Sequence, residues 1–398
     1  MGIKIVIAGA GIGGLCAALA LRKKGFDLAV YEQSAELSEV GTGLQLSPNA
    51  IHVLARLNVA DEIKTLGFQP SAAVMRHYQT GTHYFSVPLG ASATEKYAAD
   101  YLHIHRADLH TTLYNSCLEE GVSVHLGDAV LGYQLHDNGV SIEFESGTQV
   151  QADLLVGADG IKSKVQACML GESPAEFTGQ VAWRGTVKAN KLPKNLVKPK
   201  ANLWVGPGQH FVSYYLRGGD LVNFVAVQER DDWRKESWNE AGDINELKSA
   251  FKGWHPEVTE LLGAAESCFL WALFDRKPLN QWVDKHVALL GDACHPMLPF
   301  LAQGAAMAIE DSYALAHCLA SNLPIPAALE KYQNLRLART KGIQLGARKN
   351  ASLYHMGTPI DQAKLAVLSG LSKLGLSDAL AAKQLDGIYG YNLPKDLG

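Results

Sequence analysis

The chain is short of charge, of cysteine and of long apolar runs. Charged residues make up 19% of its 398 residues, and 36 basic side chains against 40 acidic ones leave a formal charge of −4. That balance creates no field toward nucleic acid or an anionic bilayer, so neither is expected as a partner. A small anionic ligand would need a local positive site instead. The 6 cysteines are scattered, with no CxxC pair. They argue against a disulfide framework or a zinc site and fit buried thiols in a reducing cytoplasm. No stretch approaches the roughly 20 apolar residues of a membrane span. The first apolar run, Ile5-Val6-Ile7-Ala8, is too short for a secretory leader, so a cytoplasmic location is expected. Internal repeats and low-complexity tracts are missing as well.

What is present is apolar mass: 47% of the residues are hydrophobic, enough to bury the cores of two domains. Residues 3–8 read as a buried strand, 12–24 as a helix and 28–32 as a second strand, which is a βαβ start. Helices are expected over 49–66 and 106–120, and strands over 122–126, 139–145 and 152–157. After about residue 177 the pattern turns to alternating strands, among them Ala182–Val187, His210–Leu216 and Leu221–Gln228. A polar, Trp-containing helical stretch is expected over 232–252. A buried strand returns at Val287–Gly291, followed by helices over about 302–320, 326–350 and 361–385. The expected fold class is therefore α/β: a Rossmann-like domain in discontinuous pieces, an inserted β-sheet domain and a C-terminal helical segment. The tryptophans (183, 204, 233, 238, 254, 271 and 282) read most simply as core of the inserted sheet.

Gly9-Ala10-Gly11-Ile12-Gly13-Gly14 matches G-x-G-x-x-G between the first strand and the first helix. Gly9 can make the tight turn, Gly11 lets a pyrophosphate approach the backbone, and Gly14 lets helix and strand pack closely. The helix N-terminus offers free N–H groups to phosphates. Glu32 ends the second strand, where an acid accepts hydrogen bonds from ribose hydroxyls and disfavours a 2′-phosphate. Strand, helix and acid together make a specific dinucleotide signal, though one that does not separate FAD from NAD.

Two later segments have the same build. Leu154-Leu155-Val156-Gly157-Ala158-Asp159 and Val287-Ala288-Leu289-Leu290-Gly291-Asp292 each carry an apolar strand into an aspartate. A carboxylate at the end of a parallel strand lies where ligands bind and can accept hydrogen bonds from ribityl hydroxyls. The three motifs, in this order, resemble the class A FAD-dependent aromatic hydroxylases. Within that class the chain is similar to the group of 3-hydroxybenzoate 6-hydroxylases, 6-hydroxynicotinate 3-monooxygenases and salicylate hydroxylases. The segments that carry this are Val40-Gly41-Thr42-Gly43-Leu44-Gln45-Leu46-Ser47-Pro48-Asn49, Ile104-His105-Arg106-Ala107-Asp108-Leu109-His110 and His295-Pro296-Met297-Leu298-Pro299-Phe300-Leu301-Ala302-Gln303-Gly304.

The resemblance implies an FAD-binding domain over 1–75, 101–176 and 276–325, a substrate-binding sheet domain over 76–100 and 177–275, and a helical region over 326–398. It also implies roles: Glu32 at the adenosine ribose, Gln45 and Arg106 on the FAD, Asp159-Gly160 between FAD and the nicotinamide route, and Asp292 at the ribityl–pyrophosphate region. The family pattern Asp-Gly-x-x-Ser-x-x-Arg ends here in Gln166, with Lys162 and Lys164 as cations that could substitute. NADH is favoured over NADPH by resemblance alone. The reaction implied is hydroxylation of a small aromatic hydroxy acid with O₂ through a flavin C4a-hydroperoxide, by a cytoplasmic enzyme able to form a homodimer.

Three features suit that chemistry. Ala302, Gly304 and Ala305 are small residues at a helix start, whose N–H groups would face the anionic pyrimidine of a reduced flavin. Pro299 and Phe300 are read as a pocket wall. His210 and Tyr214 share one face of their strand and would bind and deprotonate a phenol, histidine being the side chain tuned near neutrality. By resemblance these two are the catalytic His and the substrate-binding Tyr. No metal is expected at His103, His105 and His110, nor a base at His295. The rival readings are a flavin hydroxylase of a larger aromatic metabolite and a non-catalytic FAD redox-sensing protein.

Overall fold

The computed structural model describes residues 2–37, 42–172, 175–230 and 240–397. The runs Lys4–Ala8, Leu154–Gly157 and Val287–Leu289 are buried almost throughout, as parallel strands covered on both faces must be. They lie side by side in a six-stranded sheet. Its order is Val283–Asp284, Val287–Leu289, Leu154–Gly157, Lys4–Ala8, Asp27–Glu32 and Ser123–Leu126. All pairings are parallel except that of the short Val283–Asp284. Helix Ile12–Lys23 packs against this sheet and helix Gly304–Leu319 packs on that helix, and the three motif loops leave the sheet's carboxyl ends together.

An eight-stranded sheet forms the second unit. Its order is Glu240–Gly242, Cys268–Asp275, Glu176–Lys188, Leu221–Glu229, Gln209–Leu216, Ala201–Gly206, Ala72–His77 and His83–Pro88. Alternation sorts the side chains. One face buries Trp183, Trp204, Phe211 and Phe224 with Leu247, Phe251 and Leu261 from short helices. The other face turns Ala182 and Val227 toward Leu298 and Phe300.

Several expectations change. The boundary expected at residue 75 falls inside Ala72–His77, all of which belongs to the eight-stranded sheet. The helix expected over 49–66 is two, Pro48–Arg56 and Ala60–Leu66, parted where Asn58 takes a left-handed φ of 64°. Of the stretch 232–252, residues 232–239 lie outside the described residues. Glu240–Gly242 is an edge strand paired with Cys268–Leu270. Among the described residues of the stretch only Ile244–Ala250 is helical, started by Asp243 accepting from the N–H groups of Asn245 and Glu246. The tail is Pro359–Ser372 and Leu376–Tyr389, broken at Gly375 with φ 70°. Trp282 packs in the first domain and Trp271 on the pocket face, while Trp183, Trp204 and Trp254 are sheet-domain core. Trp233 and Trp238 lie outside the described residues. Five cysteines are buried and free as expected, but Cys168 is exposed. No single helix among the described residues is long and apolar enough to cross a membrane.

The C-terminal Tyr-Gly-Tyr segment is a docking device. The Arg339 guanidinium stacks 3.8 Å from the Tyr391 ring and donates to the carbonyls of Gly387 and Ile388. Tyr389 packs on Tyr101.

His103 lies between the two units, fully buried, with its ring 4.4 Å from that of Tyr214. Burial pushes its imidazole down to about 3. Below the ordinary histidine value the unfolded chain takes up a proton that the folded one refuses, so stability falls as pH drops from 6.5 toward 3. By pH 5 this one group costs about 2 kcal/mol. Urea unfolding at pH 7.5 and pH 5.0 should therefore separate the wild type from His103→Phe by about that much more at neutral than at acid pH. Equal pH dependence in the two proteins would refute the assignment.

Candidate active site

The fingerprint turn is built as its glycines require. Gly9 has φ +103°, and a Cβ there would lie 2.4 Å from the Ala158 carbonyl oxygen. A Cβ on Gly14 would meet the Gly9 carbonyl oxygen at 2.0 Å. Around Gly11 the space is open, with nothing within 4 Å of a Cβ, and the helix that starts there has no side-chain cap. Its first N–H groups are therefore free for an anion. Glu32 closes the same turn: its carboxylate accepts from the N–H groups of Ala10 at 2.8 Å and Ser34 at 3.0 Å.

Asp292 follows the strand Val287–Leu289. Its carboxylate reaches solvent through a cleft yet has protein on most sides. Enclosure pushes its carboxyl up, opposed by His295 and Arg106. Arg106 begins the helix Arg106–Glu119 and donates its backbone N–H to Thr42. Ala302 has φ +52° just before the helix Gly304–Leu319, which also starts without a side-chain cap. Gly304 and Ala305 thus present N–H groups beside the Asp292 loop. Gln45 accepts from the Tyr101 hydroxyl at 2.6 Å and touches Tyr214. Open backbone at Gly11, two uncapped helix starts and an acid–base pair across the cleft fit a dinucleotide.

Asp159 holds its own loop. It accepts from Ser163 Oγ at 2.5 Å, Lys164 N at 2.7 Å and Val165 N at 3.2 Å. At the variant position Gln166, the cation that arrives is neither Lys162 nor Lys164, which are exposed. Arg276 reaches it from the far side, donating to Gln166 Oε1 at 3.0 Å. The pairing spans 110 residues, so no local spacing announces it.

Opposite the cleft stands one face of the eight-stranded sheet. His210 and Tyr214 both point from it, as their spacing requires. His210 is 2% exposed, and burial together with His355 pushes its imidazole well below the usual range. Its ring meets Phe300 and Tyr354 edge-on at 5.2 Å each. Phe300 is buried, and its carbonyl accepts from Asn350 and Tyr354, so the loop of Pro299 and Phe300 is pinned against His210. Tyr214 lies against the backbone of Gly43, where a Cβ would meet its hydroxyl at 2.8 Å. Burial raises its phenol above the usual range, with Arg184 and Gln45 opposing.

Arg184 was missed in the sequence reading. It projects on the same face, stacked 4.3 Å from the Trp271 ring, with Thr42 Oγ1 at 3.4 Å. Burial lowers its guanidinium to about 10. Its signal was a charged residue at an alternate position of an otherwise apolar strand. The buried group Glu310, Asp311 and Arg336 behind the cleft was missed too. His295 belongs to it, with Nε2 at 2.5 Å from Asp311, as a loop-shaping residue. Cys294, His295 and Asp311 place ligand atoms within 4.8 Å of one another, but Arg336 on Asp311 Oδ1 stands where a cation would be repelled. Val40 and Gly41 lie outside the described residues.

Known proteins share the sequence and fold of this chain. The FAD binding domain family matches residues 2–344. The chain is 38% identical over 354 residues to 3-amino-4-hydroxybenzoate 2-monooxygenase of Streptomyces platensis, covering 89% of both chains. It is 35% identical over 356 residues to 3-hydroxybenzoate 6-hydroxylase of Polaromonas naphthalenivorans, covering 89% of this chain and 88% of that one. A salicylate hydroxylase solved with its substrate superposes with a TM-score of 0.83 at 26% identity, over 100% of this chain and 97% of that one.

Proposed function

The chain belongs to the FAD binding domain family and is an FAD-dependent monooxygenase; we propose that it hydroxylates a small aromatic hydroxy acid of the hydroxybenzoate, salicylate or hydroxynicotinate type. Bound FAD, reduced by NADH, supplies the electrons and the place where O₂ is activated. Gly9, Gly11 and Gly14 would hold the pyrophosphate, Glu32 the ribose, and Asp292 the ribityl chain. Arg106 and Gln45 would contact the FAD, and Asp159 would lie between the FAD and the nicotinamide route. The N–H groups of Gly304 and Ala305, at the helix start that follows the left-handed turn at Ala302, would face a reduced flavin where it carries negative charge, while the N–H of Ala302 itself is taken by the Pro299 carbonyl.

The observation that carries the substrate class is His210, buried and neutral on one sheet face with Tyr214 and Arg184. His210 takes the proton of the substrate hydroxyl, making the ring a better nucleophile. Tyr214 orients the ring. Arg184 supplies the local positive charge that an anionic substrate needs in a chain of net charge −4, and being always charged it suits a carboxylate. Pro299 and Phe300 close the pocket on the opposite side and exclude water. A cytoplasmic enzyme able to form a homodimer completes the reading.

The purified protein should be yellow. NADH oxidation should rise when 3-hydroxybenzoate, 3-amino-4-hydroxybenzoate, salicylate or 6-hydroxynicotinate is added, with a hydroxylated product found by mass spectrometry. NADH oxidation at one rate with or without each acid, and no product, would overturn the substrate class.

A further inference from the structure

His210 has two ring nitrogens, and one is already engaged. Nδ1 lies 2.7 Å from Nε2 of His355, and Nδ1 of His355 lies 2.8 Å from Oε1 of Glu229. The side chains of His210 and His355 are almost wholly buried, whereas that of Glu229 is 56% exposed. The three form a line from the pocket face of the sheet to solvent.

The protons on this line follow from its outer end. A carboxylate only accepts, so His355 Nδ1 carries the hydrogen. His355 Nε2 is then a lone pair and must receive the N–H of His210 Nδ1. That leaves His210 Nε2 unprotonated, the one nitrogen free to act as a base.

The arrangement is held from several sides. Glu229 ends its strand beside the turn at Gly208, donating its N–H to the Gly208 carbonyl at 2.9 Å. His355 follows the long helix Ile325–Tyr354, and its carbonyl accepts from Gly208 N. A Cβ on Gly357 would lie 2.9 Å from Pro207, so the chain after the helix is pressed onto the hairpin that carries His210. The other groups facing the line are Gln180, whose amide lies 3.4 Å from His355, and Tyr354, whose hydroxyl donates to Phe300 O. Arg230, next to Glu229, is held by Glu246 at 2.5 Å. Glu229 is thus the carboxylate at the end of the line.

We propose that His210, His355 and Glu229 form a proton wire that carries the hydroxyl proton of the substrate to solvent and returns it at the end of turnover. This rests on the reading of His210 as the base. In the outward direction the substrate O–H bond breaks and its proton bonds to His210 Nε2. The Nδ1 proton of His210 passes to His355 Nε2, and the Nδ1 proton of His355 passes to Glu229, which yields it to water. No imidazolium accumulates, and the substrate is left as a phenolate. When the hydroxylated ring regains aromaticity, the hydrogen on the hydroxylated carbon leaves as a proton to water, and the carbonyl oxygen is reprotonated from His210 Nε2. The wire then runs inward from water through Glu229, restoring both starting tautomers. Two buried imidazoles could not hold a net charge cheaply, and a neutral wire removes the need.

The test uses FAD-loaded enzyme and the acid of the panel above that gives the fastest hydroxylation. Glu229→Gln and His355→Ala should each lower kcat about 10-fold to 100-fold, part of the 10²–10⁴-fold that a positioned base contributes, with KM and FAD content near wild type. Added imidazole should restore His355→Ala severalfold and leave wild type unchanged. A purely structural His355 would instead move KM or FAD content and show no rescue. Nitrogen NMR of ¹⁵N-histidine-labelled resting enzyme needs neither variant nor substrate and should find both His210 and His355 protonated at Nδ1. His210 protonated at Nε2, or wild-type kcat in both variants while His210→Ala is impaired, overturns the wire and leaves the base standing. An unimpaired His210→Ala overturns the base itself.

Discussion

His210→Ala lowers the rate of hydroxylation about 10²–10⁴-fold and leaves FAD bound, the range a positioned general base contributes. Its neighbours are Phe300, Tyr354 and His355, none of which belongs to the fingerprint turn or the Asp292 loop, so the cofactor keeps its contacts. NADH and O₂ are still consumed in the variant, and a larger share of the oxygen ends as H₂O₂. Tyr214→Phe acts differently, weakening substrate binding more than the chemical step, because its hydroxyl faces Gly43 and Gln45 rather than a proton acceptor in line with His210. The pH profile gives a second check. Burial and His355 hold His210 well below the ordinary value of 6.5, so it stays unprotonated and competent below pH 6.5. The acid limb of turnover falls at lower pH still, and the variant loses that limb. Measured rates, H₂O₂ yield and FAD absorbance decide it. Near-normal turnover with normal coupling would move the base elsewhere, and His295 is a poor alternative since Asp311 already holds its Nε2.

Residues whose placement was legible in the sequence are those whose position is set locally. Gly9 and Gly14 are fixed by clashes with backbone a few residues away or one strand over, and G-x-G-x-x-G records that steric fact. His210 and Tyr214 share a face because a strand repeats every two residues. Asp159 and Asp292 end strands that their apolar runs announce. Residues missed are those whose job depends on a partner far along the chain. Arg276 finds Gln166, Asn223 accepts from Gly43 N, and Glu229 finds His355 across 126 residues. No periodicity marks such pairs. The two helix breaks lie between these cases. Asn58 and Gly375 are residue types that accept positive φ, so both stops were written locally, but each sits inside an apolar helical pattern that outweighed one residue. Short strands such as Ala72–His77, next to one edge of the sheet, and Glu240–Gly242, at the other edge, take their state from the sheet they join rather than from their own alternation.

Arg336→Met destabilises the protein by about 3–5 kcal/mol, the cost of breaking a buried ion pair on one side. Arg336 is 0% exposed. Its Nε donates to Asp311 Oδ1 at 2.7 Å, and its NH1 forms an ion pair with Glu310 at 2.6 Å. Burial would raise the Asp311 carboxyl, but His295 and Arg336 beside it hold it below the usual range. Without the guanidinium, Glu310 keeps Arg339 and Asn49, so most of the cost falls on Asp311. That aspartate also accepts from His295 and from the N–H of Gly291, the residue before Asp292, and Gly291 sits at φ +63°. Loosening it should therefore weaken FAD binding as well as stability, although no atom of Arg336 lies at the proposed cofactor surface. Adding Asp311→Asn to Arg336→Met removes the stranded charge and should recover part of the loss in urea unfolding. FAD affinity should stay low in the double variant, because an amide holds His295 and Gly291 less firmly than a carboxylate does. A single variant that loses under about 1 kcal/mol would place the pair among buried networks that a hydrophobic residue replaces without penalty, and the link from helix core to cofactor loop would fail with it.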